Sequence, residues 1–197
     1  MEGQEWVLKD YNVSHHNSRN PSLPCLVIIA ARVALADPLA MAWQRRVGVD
    51  LVPDAYNGAE PTETFLDGFT SSGVFTSYEL RAINSPPRTE DKVKMLYLHW
   101  ALKEAYVKAT GTGLVTDLLA IEFRNVSLED IEKGGVDRSV RVWVSGNERK
   151  EWRLEVGKLS NGHYFAIATD GNEGEYDDEG TWRWIDFGKD VWEVWGT

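Results

Sequence analysis

The amino-acid sequence predicts an α+β fold in which an antiparallel sheet packs on one long helix. Three observations lead there. Apolar residues recur at helical steps across residues 92–113. Downstream, over residues 118–168, short segments alternate apolar and polar positions as strands do. Upstream, the runs 25–31 and 46–52 are apolar, β-branched and too short for helices. Strands and helices in separate blocks, not in strict alternation, are the mark of an α+β arrangement.

Residues 1–10 show no clear periodicity. Tyr11-Asn12-Val13-Ser14-His15-His16 follows, with Ser14-His15-His16 read as a turn, and the polar, proline-bearing stretch 17–24 is a loop by composition. Residues 25–31 read as a buried strand that includes Cys25, a structural thiol. Residues 32–44 are alanine-rich, but Pro38 interrupts any helix there. Residues 46–52 form a strand ended by Pro53, and its unusual member is Asp50. Strand alternation places Asp50 on the face opposite Val49 and Leu51, either pointing to solvent from a sheet edge or turned toward a site.

Residues 56–72 form a polar connection that carries Phe65 and Phe69 at helical spacing. Thr76 is placed to cap a short helix and Glu79 to complete a capping box, which gives Glu79 a structural role. Pro86-Pro87 separates that helix from the long one. In the long helix, Leu98, Leu102, Ala105 and Ala109 make a core-facing stripe, while Trp100, Glu104 and Lys108 line up on another face. Gly111 stands where helices turn off through a left-handed residue. Alone, Glu104 and Lys108 read equally as a surface pair worth roughly 0.3–0.5 kcal/mol. Strands follow at 118–123, 138–144, 152–156 and 163–168, the last two joined by a hairpin, with His163 at the surface or in packing.

Residues 1–170 are read as the folded domain and 171–197 as an acidic, tryptophan-rich tail whose aromatics pack or bind a partner. The 197 residues, 43% hydrophobic with nine tryptophans, suit one domain or two small lobes. A net charge of −10 argues against nucleic acid as the main partner, and most of it sits in residues 170–197, which hold nine acidic and two basic residues. No apolar stretch approaches the ~20 residues of a membrane span, so no membrane partner is expected. The acidic start is unlike a targeting peptide, and the single cysteine excludes an internal disulfide; both fit a cytoplasmic setting.

The phosphate-binding glycine loops, zinc signatures and nucleophile elbow are all missing. What remains is Asp50 on a strand, Glu104 with Lys103 and Lys108 on a helix, and Ser14 and His15 in a turn. Two carboxylates on separate elements are a common way to hold Mg²⁺, which completes its shell with water and phosphate oxygens. Nearby lysines and a histidine would neutralise that phosphate.

Asn12-Val-Ser-His15, Gly48-Val-Asp50, Phe75-x-x-x-Glu79 and Trp100-x-x-Lys103-Glu104-Ala105-x-x-Lys108-Ala-x-Gly-x-Gly-Leu114 stand in this order. Together they resemble the motifs of the Sfp-type 4′-phosphopantetheinyl transferases, fungal members in particular, from about Tyr11 to Ala168. The resemblance implies transfer of the phosphopantetheine arm of coenzyme A to a serine of an acyl or peptidyl carrier protein, with Mg²⁺ and release of 3′,5′-ADP. It further implies that Asp50 and Glu104 ligate the metal, that Glu104 also helps deprotonate the carrier serine, and that Lys108 acts with it in catalysis. Ser14, His15, Lys103 and Lys108 would bind coenzyme A through its phosphates. Lysine synthesis is one implied setting, through the aminoadipate reductase.

Three departures accompany the likeness. Val52 stands where many relatives place a third carboxylate, which implies water or another side chain, such as His16, in the metal shell. Residues 17–24 read as an insertion. Only ten residues lie ahead of Tyr11, where the family has a lobe of domain length. That predicts either an inactive half-enzyme that serves as an interaction protein, or a homo-oligomer.

Overall fold

The computed structural model describes residues 6–17, 25–35, 46–113, 116–159 and 162–171. Strands β1 (Trp6–Asn17) and β2 (Cys25–Leu35) pair antiparallel, with a bulge between Leu8 and Asp10. Strand β3 (Val47–Pro53) starts a three-stranded sheet completed by β7 (Trp152–Leu159) and β8 (His163–Asp170), in the order β3-β8-β7 and antiparallel throughout. A second sheet has the order β4-β5-β6, from Ile121–Arg124, Arg141–Val144 and Asn147–Glu148. The helices are α1 (Thr62–Thr70), α2 (Ser77–Asn84), α3 (Thr89–Thr110) and α4 (Leu128–Glu132). The architecture is the expected one: α+β, with antiparallel sheet packed on a long helix.

Helix α3 is the centre of the core. It ends on Gly111 at φ 67°, the left-handed cap expected from the sequence. All four stripe residues, Leu98, Leu102, Ala105 and Ala109, are buried, and the burial extends around the helix to Met95, His99, Lys103 and Tyr106. Strand β3 separates two clusters by its alternation. Val47, Val49 and Leu51 pack with Phe165 and Ile167 on one face, while Val52 joins the main core with α3 on the other. Gly48 lies on the α3 side, where a Cβ would collide with the Ala105 carbonyl and the Ala109 amide. Glycine there brings strand and helix into backbone contact.

Several expectations change. Ser14-His15-His16 belongs to strand β1, not to a turn, because its backbone pairs with Val27 and its neighbours on β2. Residues 118–120 form a 3₁₀ turn, since the Asp117 carboxylate accepts from the Leu119 amide, and β4 starts only at Ile121. Phe65 and Phe69 lie in a true helix, α1, and not in an irregular connection. The hairpin of β7 and β8 and the Thr76–Glu79 capping box are as expected. His163 is fully buried, hence a packing residue. The burial of Cys25 and the nature of residues 18–24 and 172–197 fall outside the described residues.

His99, on the buried side of α3, has no hydrogen-bond partner at either ring nitrogen among the described residues, and burial, then the Lys103 charge, lowers its pKa to about 3. An unfolded histidine titrates near 6.5, so between those values the unfolded chain holds one proton more than the folded one. Stability is therefore lost as pH falls below about 6.5, by about 1.4 kcal/mol per unit from this group. Urea unfolding of His99→Met between pH 7.5 and 5 should show that slope removed. An unchanged slope would refute the assignment.

Candidate functional site

The site forms where strand β3 meets helix α3. Gly48, Asp50 and Val52 share the helix-facing side of the strand, so close packing at Gly48 carries Asp50 to the turn of α3 that bears Glu104 and Lys108. Lys108 Nζ donates to Asp50 Oδ1 at 2.7 Å and to the Val49 carbonyl at 3.1 Å. The Asp50 side chain is 11% exposed and that of Lys108 29%. This excludes a solvent-pointing Asp50: the residue is at a sheet edge, but its carboxylate is drawn into the strand–helix junction.

Glu104 is half-buried. Burial raises its pKa first, the neighbouring Asp50 charge raises it further, and Lys108 opposes both. Two carboxylates facing one ammonium leave an excess of negative charge at an open edge. Among the described residues, no group of three or more histidine, cysteine or acidic side chains converges. Asp50 and Glu104 are thus a two-carboxylate donor set of hard oxygens with an unbalanced charge. That suits Mg²⁺, which keeps water and phosphate in its remaining positions. Val52 is 5% exposed within the main core, so the place of a third carboxylate is apolar packing here.

The other edge of the site is supplied by β1. Asn12 Oδ1 accepts from the Val49 amide at 3.2 Å, and Ser14 Oγ accepts from the Leu51 amide at 3.2 Å. Side chains thereby take up two amides of a strand edge that, among the described residues, no other strand pairs with. Ser14 also donates to Asp50 Oδ1 at 3.0 Å. His15, the next residue, is exposed, since alternation turns it away from β3. The structure does not bring it to the carboxylates.

Lys103 is a second departure. Its ammonium is wholly buried, 3.0 Å from Glu79, and donates to the carbonyls of Leu118 and Ile121. Glu79 in turn accepts from the amides of Thr76 and Phe123. Burial pushes Glu79 up and Lys103 down, and their mutual attraction works against both shifts. One residue from Glu104 is about 100° around a helix, enough to carry Lys103 into the core. The expected phosphate contact is replaced by an internal ion pair that ties α2 and β4 to α3.

Sequence reasoning also overlooked a cleft of about 550 Å³ lined by Phe65, Gly68 and Phe69 of α1, by Val74 and by Trp100. Its rings form a chain: Tyr56 stacks on Phe65 at 4.1 Å, and Phe69 meets Trp100 edge-on at 5.2 Å. The i, i+4 spacing of Phe65 and Phe69 was the available signal. Trp100 stands one turn before Glu104 on α3.

The family model described as ACPS, 4′-phosphopantetheinyl transferase superfamily, matches residues 46–168. The L-aminoadipate-semialdehyde dehydrogenase-phosphopantetheinyl transferase of Rattus norvegicus is 32% identical over 130 residues, 66% of this chain and 41% of that protein. The Xenopus laevis protein of the same name is 35% identical over 130 residues, 66% of this chain and 42% of that one. The 4′-phosphopantetheinyl transferase A of Aspergillus fumigatus is 28% identical over 155 residues, 64% of this chain and 43% of the relative. A solved apo-ACPS structure from Chronobacterium ammoiniagenes aligns with 65% of this chain and 98% of its own, at 17% identity and a TM-score of 0.38. The chain spans about two fifths of the length of these curated relatives.

Proposed function

This chain belongs to the 4′-phosphopantetheinyl transferase superfamily, and from that premise we propose that it moves the phosphopantetheine arm of coenzyme A onto a serine of a carrier protein, with Mg²⁺, releasing 3′,5′-ADP. The observation that carries the reading is the convergence of Asp50, Glu104 and Lys108 where β3 meets α3.

In this reading the serine hydroxyl attacks the pyrophosphate phosphorus that bears the pantetheine arm. A phosphodiester bond forms, the bond to the 3′,5′-ADP oxygen breaks, and the hydroxyl proton passes to Glu104. Lys108, half-exposed, neutralises a phosphate oxygen and balances Asp50. Asp50 and Glu104 would hold Mg²⁺, whose contribution is to offset the charge of the pyrophosphate. The cleft beside Trp100 joins aromatic rings to a few polar groups, Glu60, Thr64 and Ser72, a mixture that fits the uncharged, amide-bearing pantetheine arm. Positioning and charge neutralisation supply most of the rate in such transfers.

The relatives' names point to an L-aminoadipate-semialdehyde dehydrogenase as a carrier substrate, and a carrier domain of that class is our first choice for this chain, within lysine biosynthesis. The test is intact-mass measurement of such an apo domain after incubation with the protein, coenzyme A and Mg²⁺. A gain of one phosphopantetheine, absent when the metal is chelated, is the expected result. No gain at any metal concentration would refute the reading.

A further inference from the structure

Strand β4 turns Ile121 and Phe123 into the core and Glu122 and Arg124 outward. Arg141 and Trp143 of β5 lie directly opposite Arg124 and Glu122, so they share that outer face. Helix α2 adds Tyr78 and Arg81. The Arg124 guanidinium is 4.2 Å from the centre of the Trp143 ring and 5.1 Å from that of Tyr78, and Arg81 stands 5.8 Å from Tyr78. Guanidinium and aromatic groups thus alternate in a row, Arg81, Tyr78, Arg124, Trp143, with Arg141 beside it. The face also carries two glutamates, Glu122 paired with Arg124 and Glu148 opposite Trp143.

Charge pairing sets this face apart. Of the arginines whose side chains are described, Arg46, Arg88, Arg124, Arg138, Arg149 and Arg153 each pair with a carboxylate. Arg81 and Arg141 are exposed, and among the described residues neither has an acidic partner; Arg141 donates only to the carbonyls of Arg138 and Val140. In a chain of net charge −10, the two arginines left without a carboxylate stand on one face.

The complement is in the same chain. Residues 172–197 hold eight acidic and two basic residues and four of the nine tryptophans. Within them, Asp177-Asp-Glu179-Gly-Thr-Trp182-Arg-Trp184-Ile-Asp186 sets three acids just ahead of two tryptophans. The chain reaches this stretch from Gly171, whose amide donates to the Glu151 carbonyl at 2.8 Å. Arg149, two residues before Glu151, donates its amide to the Val142 carbonyl of β5 at 2.9 Å. The segment therefore sets out from the rim of the sheet that bears the arginines, and the step from Gly171 to Asp177 covers up to about 20 Å of extended chain.

We propose that the segment 177–186 docks on this face of its own chain, its carboxylates on Arg81 and Arg141 and its tryptophans against the guanidinium–ring row. Guanidinium groups take carboxylates in a fork and stack on indole faces, so one face serves both residue types. A short tether supplies an effective concentration in the millimolar range, so contacts that are weak between separate molecules suffice.

The experiment follows trypsin cleavage of the full chain by mass spectrometry at low salt. It compares the bond after Arg183, inside the segment, with the bond after Lys189, beyond it. Arg81→Gln combined with Arg141→Gln should speed cleavage after Arg183 relative to Lys189 about tenfold, the effect of one hydrogen bond between charged groups, at an unchanged melting temperature. Changing Asp177, Asp178 and Glu179 to their amides should do the same, and joining the two sets should add nothing further. If the arginine variant melts early, the tail variant, which leaves the described fold untouched, decides alone. Wild-type cleavage rates in either set, or effects of the two sets that simply multiply, would overturn the proposal. Protection of Arg183 that fades on dilution would overturn it in favour of docking on a second copy of the chain.

Discussion

Glu104→Gln should lower transfer to a carrier serine by about 10³-fold or more, the size expected for removing a general base that is also a metal ligand, with no loss of thermal stability. Both halves follow from the same geometry. Glu104 sits half-buried beside Asp50, and both its burial and that neighbour disfavour its charge. An amide of the same shape relieves this repulsion, so the fold should be as stable or more so. In the proposed reaction the substitution removes the proton acceptor and one of two carboxylates. A structural ion pair makes the opposite forecast: melting temperature falls and transfer falls only in proportion to unfolding. Steady-state kinetics and a thermal melt on one preparation separate the two.

Lys103→Met should cost about 3–5 kcal/mol in stability, the range for removing one partner of a buried ion pair. The substitution strands the fully buried Glu79 and leaves the carbonyls of Leu118 and Ile121 without their donor. Replacing Glu79 by Gln in the same chain should return part of the loss, a coupling of about 0.5–3 kcal/mol in a double-mutant cycle. Urea unfolding at constant pH gives these values directly. If Lys103→Met unfolds like wild type and instead raises the KM for coenzyme A, Lys103 contacts phosphate and its place in the core is wrong.

These two residues are neighbours in sequence with unlike roles, which shows how far the chain can be read before folding. Local signals carried well. The Thr76–Glu79 capping box, the Gly111 cap, the stripe of α3 and the hairpin of β7 and β8 all depend on residues within one or two turns of each other. The burial of Lys103 was legible on the same footing, because Met95, His99, Lys103 and Tyr106 fall on one buried line of the helix. Strand β1 was less accessible. Its run from Asn12 to His16 holds one apolar residue, Val13, too few to show a period, and becomes a strand through pairing with β2 and side-chain bonds to β3, both set by distant residues. Asp50 lay between these cases. Alternation fixes its face, but only the contact of Gly48 with Ala105 and Ala109 makes that face the one toward Glu104. The family motifs resemble a list of ligands when read in sequence; in the fold, Lys108 and Ser14 both bond Asp50 beside Glu104, and Lys103 pairs with Glu79 in the core.

The most direct test of the central claim is calorimetric titration of coenzyme A into the full chain with and without Mg²⁺, for wild type and for Glu104→Gln. The account predicts that Mg²⁺ strengthens binding in the wild type and that Glu104→Gln abolishes this dependence. Coenzyme A binding that ignores Mg²⁺, or a metal effect of the same size in Glu104→Gln, would contradict it.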